Sequence, residues 1–136
     1  MRRTISALAL AGAALFSAAS PAVAQDPIHV SAHASFDTVS PGGFQSGECA
    51  VENTSGERLL VVLSPSVTYA DGEVQRFRLN QPPTVLGPGE AFILSVAFAV
   101  PEDAAPGTAT FTCEARAVGA GGGGFTQTAT DTFEVT

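Results

Sequence analysis

The sequence predicts an all-β fold built as a sandwich of two sheets. Turn clusters recur at short intervals, at Ser40-Pro41-Gly42-Gly43, Asn53-Thr54-Ser55-Gly56, Asp71-Gly72, Gly87-Pro88-Gly89, Ala105-Pro106-Gly107 and Gly119 to Gly124. Between them apolar and polar residues alternate with period two, the pattern of strands with one buried face. No helical periodicity remains beyond residue 24. Thirteen of the 14 glycines and eight of the nine prolines fall there, enough to break any long helix.

The first element is different in kind. Arg2 and Arg3 open a stretch that is apolar or small from Ile5 to Ala19, and Ala22-Val23-Ala24 then gives a small-x-small cleavage pattern before Gln25. Residues 1–24 therefore read as a secretory signal peptide, with an apolar run short of the roughly 20 residues a membrane-spanning helix needs. The arginine pair leaves both the general and the twin-arginine export routes open. No cysteine stands at the processing point, so a lipid anchor is not expected, and the mature protein should be secreted or periplasmic. Residues 25–136 then form one domain, since 112 residues are too few for two ordinary cores. The whole sequence carries six basic and 13 acidic residues, a net −7, and losing Arg2 and Arg3 leaves four against 13, a net −9. Surface charge of that sign excludes nucleic acid and anionic membranes as partners held by electrostatics.

About seven strands follow. In the first, Ile28, Val30, Ala32, Ala34 and Phe36 share one face, and His29, Ser31, His33 and Ser35 the other. The second turns Gly47, Cys49 and Val51 inward and Ser46, Glu48 and Glu52 to water. The run Leu59 to Leu63 does not alternate, as in a central strand covered on both faces. Ser66 to Ala70 and Glu73 to Leu79 flank Asp71-Gly72 as a hairpin. Phe92, Leu94, Val96, Phe98 and Val100 line one face of the next strand, and Ala109, Phe111, Cys113, Ala115 and Ala117 one face of the strand after it. The last strand, Phe125 to Val135, carries Thr126, Thr128, Thr130 and Thr132 in a row.

Cys49 and Cys113 thus lie on core-facing positions of the second and sixth strands, 64 positions apart. Two cysteines in an exported chain of this size are expected to pair. A bridge between those strands is the arrangement of an immunoglobulin-like sandwich. Phe111 stands two residues before Cys113, where many such domains have a tyrosine, so no corner hydrogen bond can form. The tryptophan that packs on the bridge in antibody domains is missing, and Leu60 or Val62 is expected to fill its space.

From Val39 to Val118 the sequence resembles bacterial extracytoplasmic Ig-like domains, namely the cell-adhesion-related (CARDB) domain and the Ig-like modules appended to secreted glycosidases. The shared pattern is Pro41 to Gly43, a strand ending in Asn53-Thr54, the Leu86 to Glu90 turn (Leu-x-Pro-Gly-Glu) and the Val100 to Thr108 passage (Val-Pro-x-x-Ala-x-Pro-Gly-Thr). These are turn motifs. The resemblance implies the fold and a binding or spacer module, usually part of a larger surface protein.

Candidate sites are few. His29 and His33, four residues apart on a strand, lie about 13 Å apart and are too distant to chelate one metal without a kink. They remain weak metal candidates, with solvated surface as the simpler account. Gly121 to Gly124 precede a strand rather than a helix, and the chain has no lysine, so a phosphate cradle is not expected. As a loop at a sandwich end, Gly121, Gly122, Gly123, Gly124 and Phe125 are the candidate binding loop. Asp71, Glu73, Glu102 and Asp103 are possible calcium ligands without a recognisable loop spacing. Asn53-Thr54-Ser55 fits a glycosylation sequon and equally a plain turn. Arg76 and Arg78 share a strand face and are expected to pair with nearby acids. No nucleophile stands beside a positioned base, and no cofactor is implied. The expected function is a non-catalytic binding or structural module, engaging a protein or glycan at the cell surface in adhesion or surface assembly. The alternative is a small hydrolase inhibitor, with Asn80 to Pro83 and the glycine loop as wedges.

Overall fold

The computed structural model describes residues 26–79 and 81–136; residues 1–25, which include the expected signal peptide, and Asn80 lie outside them. Nine strands follow in order: β1 (Ile28–Ala34), β2 (Thr38–Val39), β3 (Phe44–Asn53), β4 (Leu59–Thr68), β5 (Val74–Arg76), β6 (Thr84–Leu86), β7 (Ala91–Ala99), β8 (Gly107–Gly119) and β9 (Gly124–Val135). They form a small sheet in the order β1-β3-β7 and a larger one in the order β2-β9-β8-β4-β5, with β6 also pairing β4. β2 runs parallel to β9 at Thr38↔Glu134 and Val39↔Val135, so the chain crosses from one sheet to the other just after β1. This is the all-β, immunoglobulin-like two-sheet sandwich that the strand pattern predicts.

The bridge closes between the sheets. Cys49 of β3 and Cys113 of β8 are joined with Cα atoms 5.7 Å apart, and both residues are fully buried. Disulfides persist in oxidising compartments, and the bond fits such a setting. Beside it the core is built from alternating residues of facing strands. Phe111 stacks near-parallel on Phe98, centroids 6.4 Å apart at 11°, and Phe77 tilts onto Phe98 at 4.8 Å. The Phe111 ring lies directly over Gly47, where an added Cβ would overlap it.

Four expectations change. Leu59 to Leu63 and Ser66 to Ala70 are not separate strands but one, β4, which alternates throughout: Leu59, Val61, Pro65 and Val67 are buried while Leu60 and Val62 are exposed. Leu60 and Val62 therefore do not fill the space beside the bridge. Pro65, the residue paired with Cys113, occupies the inward position there. Proline is tolerated inside this strand because of the direction its nitrogen faces. The Tyr69 N–H donates to the carbonyl of Glu73, just before β5, so by alternation the nitrogen of Pro65 points to the same side and takes nothing from the β8 ladder. On that side β5 pairs only with Ser66 to Thr68 and β6 only with Leu59 to Val61, which leaves a gap at the proline. The second arm of the Asp71-Gly72 hairpin is accordingly short, Val74–Arg76 rather than Glu73 to Leu79.

Phe36 is the last of the four. It is 54% exposed because β1 ends at Ala34, where the chain leaves the small sheet. Gln45 holds the crossing. Its buried side chain accepts from the Phe36 N–H at 3.0 Å and donates to the Phe36 carbonyl at 2.8 Å, imitating a strand partner. Asn53 does similar work at the other end. Its Nδ2 donates to the Glu57 and Leu86 carbonyls at 2.7 and 2.9 Å, and its Oδ1 accepts from the Ser55 N–H and hydroxyl. With every polar position of that amide occupied and the residue fully buried, Asn53 is a turn organiser that no glycan can reach.

Tyr69 follows β4 with its ring buried and its hydroxyl donating to Gln75 Oε1 at 2.6 Å. Burial disfavours the phenolate and pushes its pKa up to about 12 from an ordinary 10.0. A raised value in the folded state gives a contribution that is complete below pH 10 and lost as pH rises through about 12. Denaturant midpoints should therefore fall between pH 10 and 12, and Tyr69→Phe should flatten that part of the profile. An unchanged slope in the variant would show that another group controls alkaline unfolding.

Candidate binding face

The candidate loop is the turn of the β8–β9 hairpin. It is closed by Gly122 N–H to Gly119 O at 3.0 Å and Gly119 N–H to Gly123 O at 3.3 Å. Gly122 takes φ +84°, a conformation that residues with a side chain rarely adopt. Around Gly121, Gly122, Gly123 and Gly124 no atom comes within 4 Å of where a Cβ would sit, so the turn stands clear of the body of the protein. Phe125 departs from its four neighbours. It is half-buried and packs against the core, anchoring the turn at one side.

Next to this turn, on the outer face of the larger sheet, lies an apolar strip that includes Leu60 and Val62, the two residues expected beside the bridge. The register sets Val85 of β6, Leu60 of β4, Val118 of β8 and Gly124 of β9 side by side, with Val62 in the following row. Leu60, Val62, Val85 and Val118 are each between 41% and 52% exposed. Leu60, Val62 and Val118, together with Arg116 and the rim Gly124 to Thr126, shape a shallow depression of about 410 Å³. In sequence this strip was legible only as the missing alternation of Leu59 to Leu63. A both-faces-covered strand and a strand with one apolar face left bare give the same string of letters.

Below the strip the face turns polar in successive rows: Val62-Arg116-Thr126, Ser64-Glu114-Thr128, Ser66-Thr112-Thr130 and Thr68-Thr110-Thr132. The threonine row of the last strand is thus part of a wider field of hydroxyls. Arg76 and Arg78 border this field near Glu114. Among the described residues neither arginine comes within 4.0 Å of a carboxylate oxygen, so the expected ion pairs are absent there.

The remaining candidates separate. His29 and His33 both face solvent on the small sheet, opposite Glu52 and Glu48 respectively, and His33 Nδ1 lies 3.6 Å from Asp131 Oδ2. The described residues contain no group of three or more His, Cys, Asp or Glu side chains placed to hold a metal ion. Asp71, Glu73 and Asp103 line one depression with Tyr69 and Gln75, while Glu102 lies away from them beside Gly42. Asp71 Oδ1 is already engaged by the Glu73 N–H at 3.0 Å. Of the proline-rich wedge, Gln81 and Pro82 border a second depression with Phe77 and Phe92, and Asn80 lies outside the described residues.

No protein-family model matches the chain, and no curated protein does. Solved structures do share its fold. The ApaA protein from Bordetella pertussis matches with a TM-score of 0.57 at 19% identity, covering 79% of this chain and 93% of that one. A β-glucosidase from Erythrobacter marinus matches at 0.57 and 12% identity over 80% of this chain but 15% of the enzyme. The Pseudomonas fluorescens alkylpurine DNA glycosylase AlkC, bound to DNA with an abasic site analogue, matches at 0.57 and 14% over 80% of this chain and 30% of that protein. At such identities the likeness is one of fold. The resemblance drawn from the turn motifs stands at the same level, an Ig-like domain.

Proposed function

We propose that the protein is an exported, non-catalytic binding module that holds a protein partner at the cell surface or in the periplasm through the outer face of its larger sheet. The observation that carries this reading is the strip Val85-Leu60-Val118 with Val62, left bare beside an unpacked glycine turn. Scattered apolar residues on a surface need no explanation, but neighbouring ones on three strands of one face mark contact sites. Aliphatic side chains rimmed by Arg116 and threonines suit a protein surface better than a sugar, whose rings stack on aromatic planes. The disulfide fits an oxidising, extracytoplasmic setting, and modules of this fold occur as one part of larger enzymes such as the β-glucosidase.

Leu60→Lys with Val118→Lys tests the face. Both side chains project from the fold, so the thermal midpoint should hold while binding of the labelled protein to the producing cell's envelope fraction falls by about tenfold or more. Undiminished binding by the double variant would move the contact elsewhere. The inhibitor reading makes a separate forecast, tight inhibition in a panel of purified proteases and glycosidases that is lost on altering Gln81 to Pro83.

A further inference from the structure

The two edges of the small sheet are treated differently. At β1 the edge is closed by side chains from β9: Gln127 Oε1 accepts the Val30 N–H at 3.0 Å and Asp131 Oδ2 accepts the Ala34 N–H at 2.7 Å. At β7 it is open. The Val100 N–H donates to Gly43 O and the Gly42 N–H to Val100 O, so Phe92, Leu94, Val96 and Phe98, in phase with Val100, direct their backbone groups at β3. The N–H and C=O groups of Ala91, Ile93, Ser95, Ala97 and Ala99 therefore point away from the sheet. Among the described residues only the Ala99 carbonyl is met, by Gln75 Nε2 at 3.3 Å. Constant-type immunoglobulin sandwiches place a fourth strand at this edge. Here the chain after β5 returns as β6 to pair with β4, and no strand among the described residues takes that position.

The strand itself lacks every usual device for blunting an edge. Ala-Phe-Ile-Leu-Ser-Val-Ala-Phe-Ala contains no charge and no proline, and Ala91, Ile93, Ser95, Ala97 and Ala99 are all exposed. It is also close to a palindrome about Ser95. Reversed onto itself, Ala91 meets Ala99, Phe92 meets Phe98, Ile93 meets Ala97 and Leu94 meets Val96. An antiparallel, two-fold pairing needs a surface that is its own complement, and this strand has one.

We infer that β7 is a self-association edge, pairing antiparallel with β7 of a second copy of this chain about Ser95. Each outward residue then exchanges two N–H···O bonds with its opposite number. Ser95 faces Ser95 of the second copy and Ile93 faces its Ala97. Large side chains lie across from large ones on the core side, and the two three-stranded sheets become continuous. The copies carry like charge, −7 over the full sequence, so association strengthens as salt screens their repulsion. This edge lies on the opposite sheet from the proposed binding face, and the two readings stand or fall separately.

Analytical ultracentrifugation of the exported, oxidised protein over rising concentration decides the matter. The expected result is a monomer–dimer equilibrium that tightens with sodium chloride. Ser95→Pro removes a donor that β3 does not use and should weaken the dimer about tenfold or more. Ile93→Lys, on a residue 58% exposed, should do the same with an unchanged circular dichroism spectrum and carries the test if the proline variant does not fold. Val118→Lys, on the other sheet, should leave the dimer intact. A wild-type monomer persisting to concentrations on the order of 1 mM overturns the inference. So does a dimer indifferent to Ile93→Lys, or one that Val118→Lys dissolves.

Discussion

Replacing Cys49 and Cys113 together by alanine should lower the unfolding free energy by about 4 kcal/mol, the chain-entropy value for closing a loop of this length. The bridge spans 64 residues and joins β3 of one sheet to β8 of the other, so it shortens the longest excursion available to the unfolded chain. Little else ties the small sheet to the larger one covalently or by ladder. Between them run side-chain packing, the Gln127 and Asp131 contacts with β1, the bonds from Asn53 to Leu86 O and from Gln75 to Ala99 O, and the crossing at Gln45. Against a domain stability of about 5–15 kcal/mol, the loss is large enough to leave a fraction of the protein unfolded at ordinary temperatures. Urea titrations of the oxidised protein and the double variant measure it directly. A difference under about 1 kcal/mol would mean that the unfolded chain is already constrained without the bridge.

The second large effect concerns a contact that composition does not reveal. Phe111→Ala should cost about 3–5 kcal/mol, because the ring is fully buried, stacked on Phe98 and walled in by both sheets. Gly47→Ala should be nearly as damaging for the opposite reason, since the new methyl group meets a ring that has nowhere to retreat. The pair yields a sharper test than either alone. In a Gly47→Ala, Phe111→Leu double variant the smaller side chain relieves the overlap, so the combined loss should fall well short of the sum of the single losses. Strict additivity would show that the two sites do not share the space.

Together these residues explain how far the sequence could be read. Period-two alternation identifies Gly47, Cys49 and Val51 of β3 and the inward residues of β7 and β8, because each strand has one face on the core and one on water, and the hydrophobic effect writes that difference into the letters. The disulfide followed from two cysteines on such faces. Leu60 and Val62 were misplaced because an apolar letter does not say whether it is covered, and here it is not. Phe36 was misplaced because a chain that changes sheets keeps its pattern for a residue or two beyond the last paired position. The roles of Gln45 and Asn53 were out of reach altogether. A buried amide that serves as a surrogate strand partner has the same letter as a solvated one, and its partners lie up to 33 positions away.

What the sequence determined by itself is therefore the class of fold, the bridge and the oxidising setting that the bridge requires. These depend on local alternation and on two reactive side chains. What only the tertiary structure decided is which surfaces remain unused: the strip at Leu60 and Val118, and the open edge of β7. Exposure is a property of what the rest of the chain fails to cover. The return of β6 to β4, which leaves the β7 edge uncovered, is settled by strand order and register, not by the residues of the edge itself.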